Sequence, residues 1–262
     1  MPTFKPSKSD HVLAGLQGKK VRVLNRKLYD SFNSSLLGLG ELTQTSTSID
    51  AIAAIFDLEG FTNFCKQIEP HLAVPFFLNE FLTWLMEELK SQMTRKEYKE
   101  GFQLWSPLPF LIKFMGDGLL VLWDSSMMSD VSRQNVIVSA SEICDNYVQK
   151  FLKSIKGKVV DPPTALRCGL ARGTVYSVGD GNDYVGSCIN MAARIQKMPG
   201  ITFSFNRRGF NLEDSNTDIF FRDDIVVKQV SIRGIGENEL IMILKEEFEA
   251  MKAGDKKQYR PV

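Results

Sequence analysis

Histidine is almost absent: His11 and His71 are the only two in 262 residues. The four cysteines, Cys65, Cys144, Cys168 and Cys188, lie far apart, and no two stand in C-x-x-C spacing. That removes the paired thiolates and imidazoles of a structural zinc site and predicts free thiols in a reducing cytosol. Neither sign of charge is in excess, with 32 Lys and Arg against 31 Asp and Glu. A chain without surplus positive charge offers no general surface to nucleic acid or to an anionic membrane, so any polyanion must be held locally. No apolar run reaches the roughly 18 to 20 residues needed to cross a bilayer. The opening MPTFKPSKSD has no hydrophobic signal region, which predicts a cytoplasmic protein with no membrane segment. What the chain does have is apolar material, 44% of its residues, enough for a substantial core.

The pattern divides the chain into three parts. Residues 1–46 are polar and basic at first, then carry Val21, Val23, Leu24, Leu28 and Phe32 before the Ser/Gly-rich SFNSSLLGLGELTQTSTS; they are predicted to form a helical arm. Residues 47–245 alternate strand-like and helix-like segments without a long linker, which predicts one α/β domain, and residues 246–262 form a polar C-terminal tail. Within the domain, IDAIAAIFD reads as a buried strand. Pro75 suits a first helical turn, and Val74, Phe77, Leu78, Phe81, Leu82, Leu85 and Leu89 follow at helical spacing. FLIKFMGDGLLVLWD has two β-rich arms around a Met-Gly-Asp-Gly turn, and a second long helix is predicted over about 131–155. TALRCGLARGTVYSV reads as a strand, NMAARIQKM as a helix stopped by Pro199-Gly200, and IVVKQVSIRGIGENELIMILK as a closing hairpin.

Several polar residues interrupt these apolar elements. Asp57 ends the first strand and is followed by Leu58-Glu59-Gly60-Phe61-Thr62, where a glycine lets backbone amides approach a ligand. Asp117 sits in a turn flanked by glycines, where little bulk blocks an ion bridging a carboxylate to phosphate oxygens. Lys113 breaks the strand before that turn, and Arg167 breaks TALRCGL. Asn190 and Arg194 stand four apart, hence on one face of a helix. Taken singly, each has an ordinary explanation: turn chemistry for the aspartates, an edge lysine, a structural ion pair for Arg167, a solvated helical face for the last two.

Their order carries more information than any one of them. FDLEGFT, KFMGD, LRCGL, a Gly-rich hairpin and DYVGSCINMAARIQ together resemble the catalytic domain of the class III nucleotidyl cyclases, over about residues 49–245. The resemblance implies a ferredoxin-like βαββαβ α/β (α+β) fold and conversion of a nucleoside triphosphate to a 3′,5′-cyclic nucleotide with release of pyrophosphate. It assigns two divalent metal ions, Mn²⁺ or Mg²⁺, to Asp57, Asp117 and the backbone of Leu58, and phosphate contacts to Gly60, Phe61, Thr62 and Arg167. Lys113, four residues before Asp117, and Asp183, seven before Asn190, match the residues that contact the base. Asn190 and Arg194 match the transition-state pair. Arg233, in IRGIGENEL, resembles the closing phosphate-binding segment, without a fixed register. In this family one site draws residues from two subunits, which implies an obligate homodimer.

Departures from the family pattern narrow the resemblance. The hairpin between Gly173 and Asp183 is shorter than is usual, and QIEPHLAVPFFLNEFLTWL and GFQLWSPLPFLIKF occupy the span between Asp57 and Lys113. With no sensor domain visible, these resemble the stand-alone pyrimidine cyclases of Pycsar antiphage systems, which make cyclic UMP or cyclic CMP for a cyclic-nucleotide effector. That subtype implies UTP, or CTP, as substrate. Lys113 and Asp183 are an adenine-type pair, so ATP stays open, as does a nucleotide-binding module without turnover. No GG[DE]EF block supports a diguanylate cyclase.

Overall fold

The computed structural model describes residues 3–5, 7, 11–16, 19–42, 45–210 and 224–262. They form two compact units, Met1–Ser48 with Tyr176–Val185, and Ile49–Val175 with Gly186–Val262.

In the first unit, β1 (His11–Leu16) and β2 (Lys19–Leu24) make an antiparallel pair, followed by a short helix, α1 (Arg26–Asp30), and a 3-10 turn at Ser34–Leu37. The arm expected to be helical therefore carries a β pair as well as its short helical turns. The reason is visible in KKVRVL, which alternates with the two-residue period of a strand, whereas only Leu28 and Phe32 keep the four-residue spacing of a helix. After the 3-10 turn the chain runs along the hairpin formed by the end of β8 (Ala165–Val178) and β9 (Asp183–Gly186). The Asp180 amide donates to the Leu39 carbonyl (2.9 Å), the Ser46 hydroxyl to the Ser177 carbonyl (2.8 Å), and the Thr47 amide to Ser177 Oγ (2.8 Å). Gly40, at φ +76°, passes so near that a Cβ there would lie 1.8 Å from the Asp180 carboxylate.

The second unit runs β3 (Ser48–Glu59), α2 (Phe61–Phe64), α3 (Pro70–Met93), β4 (Thr94–Tyr98), β5 (Gly101–Leu104), β6 (Leu111–Phe114), β7 (Gly118–Asp124) and α4 (Asp130–Asn146). A π turn at Tyr147–Phe151 and the short α5 (Leu152–Ser154) continue α4; β8, α6 (Ser187–Ile195), β10 (Phe203–Asn206), β11 (Ile225–Ile232) and β12 (Gly236–Leu244) follow. The sheet order is β11-β12-β10-β8-β3-β7-β6, with β9 beside β8. Within it, β3-α3-β6-β7-α4-β8 is a βαββαβ unit whose strands stand in the ferredoxin-like order fourth, first, third, second. The mixed α/β architecture read from the sequence is thus the one observed.

Residues alternate between two covered faces of this sheet. Ile52, Ala54, Phe56, Leu119, Val121, Trp123, Leu166, Cys168 and Leu170 belong to one hydrophobic core together with residues of α3 and α4. Aromatic rings fill its centre: Phe81 lies with its centroid 6.1 Å from Phe77, 5.8 Å from Phe151 and 6.0 Å from Tyr147. The Tyr147 hydroxyl is satisfied inside this core by donating to the Pro163 carbonyl (2.7 Å). The opposite face carries Arg167, Gly169 and Ser204, and α6 packs there, with Ser204 Oγ against the Ile195 carbonyl. Helix α3 starts at Pro70, which occupies its first turn, so Pro75 lies inside the helix rather than at its start. The segment after Leu244, expected as a polar tail, folds onto the same unit: Met251 and Tyr259 are buried, and Tyr259 donates to the Pro199 carbonyl (2.8 Å). Among the described residues no helix is long and apolar enough to cross a membrane.

The aromatic core predicts one measurable quantity. Phe81 is fully buried among four aromatic neighbours, so Phe81→Ala is expected to lower the stability of the domain by about 3–5 kcal/mol. Urea denaturation followed by tryptophan fluorescence measures it. A loss below about 1 kcal/mol would place the stabilising core elsewhere.

Candidate active site

Strand β3 delivers Asp57 to one end of the sheet because the run before it, Ala51 to Phe56, is buried on both faces and fixes the register. Its cross-strand partner in β7 is Gly118, and the Leu58 amide donates to the carbonyl of Asp117 (3.1 Å). The two aspartates read from the sequence are therefore neighbours across adjacent strands. Glycines make this approach possible: Gly116 turns at φ +103°, and a Cβ on Gly118 would stand 2.2 Å from the Phe56 carbonyl oxygen. Gly60, at φ +85°, swings the chain from β3 into α2 and places Phe61 and Thr62 directly after the aspartate. A Cβ there would meet nothing within 4 Å, so the backbone angle, not crowding, calls for glycine.

Arg167 and Gln196 hold the Asp57 carboxylate. Arg167 Nη2 and Gln196 Nε2 each donate to Asp57 Oδ2, both at 2.8 Å. No polar contact engages Oδ1 among the described residues. Arg167 Nη1 is also 4.0 Å from Glu59. With side-chain exposures of 16% for Asp57 and 21% for Arg167, the pair is largely out of water, where a hydrogen-bonded ion pair matters more than on the surface. Asp117 is half-buried, and its charge reaches Cys65, whose thiol is pushed up first by burial and then by that carboxylate, so it stays protonated at neutral pH.

Lys113 shares a face with Asp57. It pairs with Leu120, which pairs with Ile55, two residues before the aspartate. The lysine stands two strands away, roughly 10 Å across the sheet, and is half-buried.

Helix α6 presents its residues in two directions. Cys188, Met191, Ala192 and Ile195 are buried against the sheet, whereas Asn190 and Arg194 are exposed. At 3.6 residues per turn, Arg194 points about 200° and Asn190 about 240° around the axis from Gln196. Since Gln196 reaches Asp57, the other two face away from the aspartate of their own chain. Arg233 is distant as well. The contacts Thr164 to Glu59 and Arg167 to Asp57 make β3 and β8 antiparallel; β10 is parallel to β8 and β12 antiparallel to β10, so β12 runs with β3. The β11–β12 turn carrying Arg233 is consequently at the opposite end of the sheet from Asp57, roughly 30 Å along the strand direction. Asp183, in the first unit, is half-buried at the start of β9, where its Oδ1 accepts from the Tyr184 amide (2.9 Å).

The donor set fits divalent ions shared with a phosphate ligand. Asp57 Oδ1, the Asp117 carboxylate and the Leu58 carbonyl are hard oxygen donors of the kind Mg²⁺ and Mn²⁺ prefer. Among the described residues no group of three or more His, Cys, Asp or Glu could hold an ion alone. Beside the site, an open cleft of about 730 Å³ is bounded by Glu59, Gly60, Asn63, Gln67, Asp161 and Thr164.

Sequence reasoning missed Gln196, Gly169 and Cys65. Gly169 had a signal, lying two residues after Arg167 on the same strand face; a buried glutamine after a helix has none.

No protein-family model and no curated protein matches this sequence. Solved structures do match by shape. The guanylyl cyclase Cya2 is 16% identical, with 77% of this chain aligned to 94% of that one and a TM-score of 0.54. The guanylate cyclase domain of RhGC from Catenaria anguillulae in complex with GTP is 16% identical over 76% of this chain and 98% of that one, with a TM-score of 0.47. A class III adenylyl cyclase-like ATP-binding protein from Pseudomonas aeruginosa is 16% identical over 66% of this chain and 37% of that one, also at 0.47. The chain therefore has the fold of the guanylyl cyclase Cya2, a mixed α/β sheet with helices on its faces.

Proposed function

We propose that this chain is a nucleotidyl cyclase that converts a ribonucleoside triphosphate to its 3′,5′-cyclic monophosphate and pyrophosphate, working as a homodimer. The observation that supports it most is the closeness of Asp57 and Asp117 on adjacent strands beside Arg167, while Asn190 and Arg194 of the same chain face away. A lone chain thus presents two half-sites, and a second copy would complete each.

Divalent ions held by Asp57, Asp117 and the Leu58 carbonyl would supply Lewis acidity to the ribose 3′-hydroxyl and to the phosphates. The remaining work falls to side chains. Arg167 would hold the departing pyrophosphate, helped by backbone amides at Gly60, Phe61 and Thr62, whereas Arg233, at the far end of the sheet, could reach it only from a second copy of the chain. Asn190 would orient the ribose, and Arg194 would neutralise charge growing on the α-phosphate as the 3′-oxygen attacks in line. Loss of one such donor is expected to cost about 3–4 kcal/mol in the barrier, at least a hundredfold in rate.

Lys113 and Asp183 would read the base, and UTP, or failing that CTP, is the proposed substrate. The short β8–β9 turn, four residues from Gly179 to Asn182, supports a trimmed wall that a purine could not lean against. Lysine can donate to a uracil carbonyl, and an aspartate can accept from N3–H, so the adenine-type pair is compatible with a pyrimidine. The product would then serve as a second messenger in antiphage defence, read by a separate cyclic-nucleotide effector.

Three measurements test this reading. Purified protein given equimolar ATP, GTP, CTP and UTP with Mn²⁺ is expected to yield mainly cyclic UMP or cyclic CMP by mass; mainly cyclic AMP would make it an adenylate cyclase, and no cyclic product a binding module. Asp57→Ala and Asp117→Ala are each expected to abolish cyclisation while the protein stays folded, and full activity in either at saturating Mn²⁺ would sink the two-metal assignment. Mixing inactive Asp57→Ala with inactive Asn190→Ala should restore part of the activity, because a mixed dimer has one site with both lesions and one with neither. Persistent inactivity after demonstrated subunit exchange would eliminate the shared site.

A further inference from the structure

We infer that Gln196 is a positioning residue that pins Asp57 Oδ2 and so leaves Oδ1 as the oxygen offered to a divalent cation. This rests on the proposed two-metal site and adds to it a residue that no motif in the sequence marked. Gln196 is 2% exposed, and its Nε2 donates to Asp57 Oδ2 at 2.8 Å, the same oxygen that accepts from Arg167. Two donors on one oxygen fix the plane of the carboxylate and leave the other oxygen without a hydrogen-bond partner among the described residues. An amide suits this position better than a carboxylate, which would repel Asp57, or an ammonium, which would compete with the ion.

The approach depends on Gly169. A Cβ there would come within 2.4 Å of the Ala192 carbonyl oxygen and 2.6 Å of the Gln196 amide nitrogen, so only glycine lets the end of α6 reach β8 at this depth. Gln196 keeps helical backbone angles (φ −57°, ψ −30°) and donates its amide to the Ala192 carbonyl (3.0 Å), which fixes the origin of its side chain. Two buried atoms beside Asp57, Arg167 Nε and Gln196 Oε1, have no hydrogen-bond partner among the described residues. A donor and an acceptor left open next to the same carboxylate mark a cluster arranged around Asp57 rather than for its own hydrogen bonding. Outer partners that orient a ligating group typically change metal affinity by 10–100-fold when removed.

The test is Mn²⁺ binding, read by electron paramagnetic resonance, in the full-length protein saturated with a triphosphate analogue that cannot cyclise. Gln196→Met, which keeps length without a donor, is expected to weaken Mn²⁺ binding about tenfold or more. Cyclisation by the same variant should need correspondingly more Mn²⁺ while the KM for nucleotide at saturating metal is unchanged. Gln196→Asn, one methylene too short to reach Oδ2, should behave alike and stands in if the first variant does not fold. A purely structural role would lower the melting temperature without moving Mn²⁺ affinity in the folded protein, and that result overturns the inference. If wild type itself binds Mn²⁺ no better than Asp57→Ala, the two-metal reading has failed instead.

Discussion

How closely α6 approaches β8 governs the rest of the site. The contact is made at Gly169, where any side chain would run into the backbone of Ala192 and Gln196. Because Arg167 lies two residues earlier on the same face of the strand, this one close approach sets an arginine and a glutamine side by side above Asp57. The same packing buries Cys188, Met191, Ala192 and Ile195 and turns Asn190 and Arg194 outward. A single glycine thus decides both what surrounds the aspartate and which residues α6 leaves facing elsewhere.

A carboxylate this far from water needs hydrogen-bond partners, and the two it has act differently. The guanidinium of Arg167 balances its charge, whereas the Gln196 amide contributes direction without charge. Truncating Arg167 would leave a half-buried anion uncompensated, whereas truncating Gln196 leaves the charge balanced and the orientation free. The other carboxylate, Asp117, depends on a turn whose glycines allow the β3–β7 contact at Gly118, so backbone closeness brings it to Asp57.

Much of this was legible in the sequence because it follows from short-range pattern. IDAIAAIFD is apolar on both strand faces, which only a central strand tolerates, and KFMGDGLL has a turn composition between β-rich arms; both formed as read. The α3 repeat also held, although its start moved to Pro70, since two prolines compete for a first turn and only one can occupy it. The first unit was less legible. Its β1–β2 pair is local and follows the two-residue period of KKVRVL, but its hydrogen bonds to the β8–β9 hairpin depend on partners more than a hundred residues away, which periodicity within the arm cannot register. The last segment deceived for a different reason: it is polar on average, yet Met251 and Tyr259 are buried and Arg260 and Glu247 bond to the sheet. Gln196 escaped altogether, because a polar residue at a helix end is ordinarily solvated, and burial against a strand is a property of the fold.

The residues that the proposed function assigns to the site fall into two groups held apart by the sheet itself. Asp57 lies at the C-terminal end of β3, while Arg233 lies at the turn that precedes β12, a strand running in the same direction, so no local rearrangement of a loop could bring them together. Asn190 and Arg194 are excluded from their own Asp57 by the pitch of one helix whose other side is committed to the core. Rotating α6 to redirect them would expose four buried side chains and break the Gln196 contact. Within one chain the fold therefore keeps Asp57 and Asp117 apart from Asn190, Arg194 and Arg233. On the proposed function such a chain would complete its site by association, and two-fold pairing that joins unlike halves would close both sites at once.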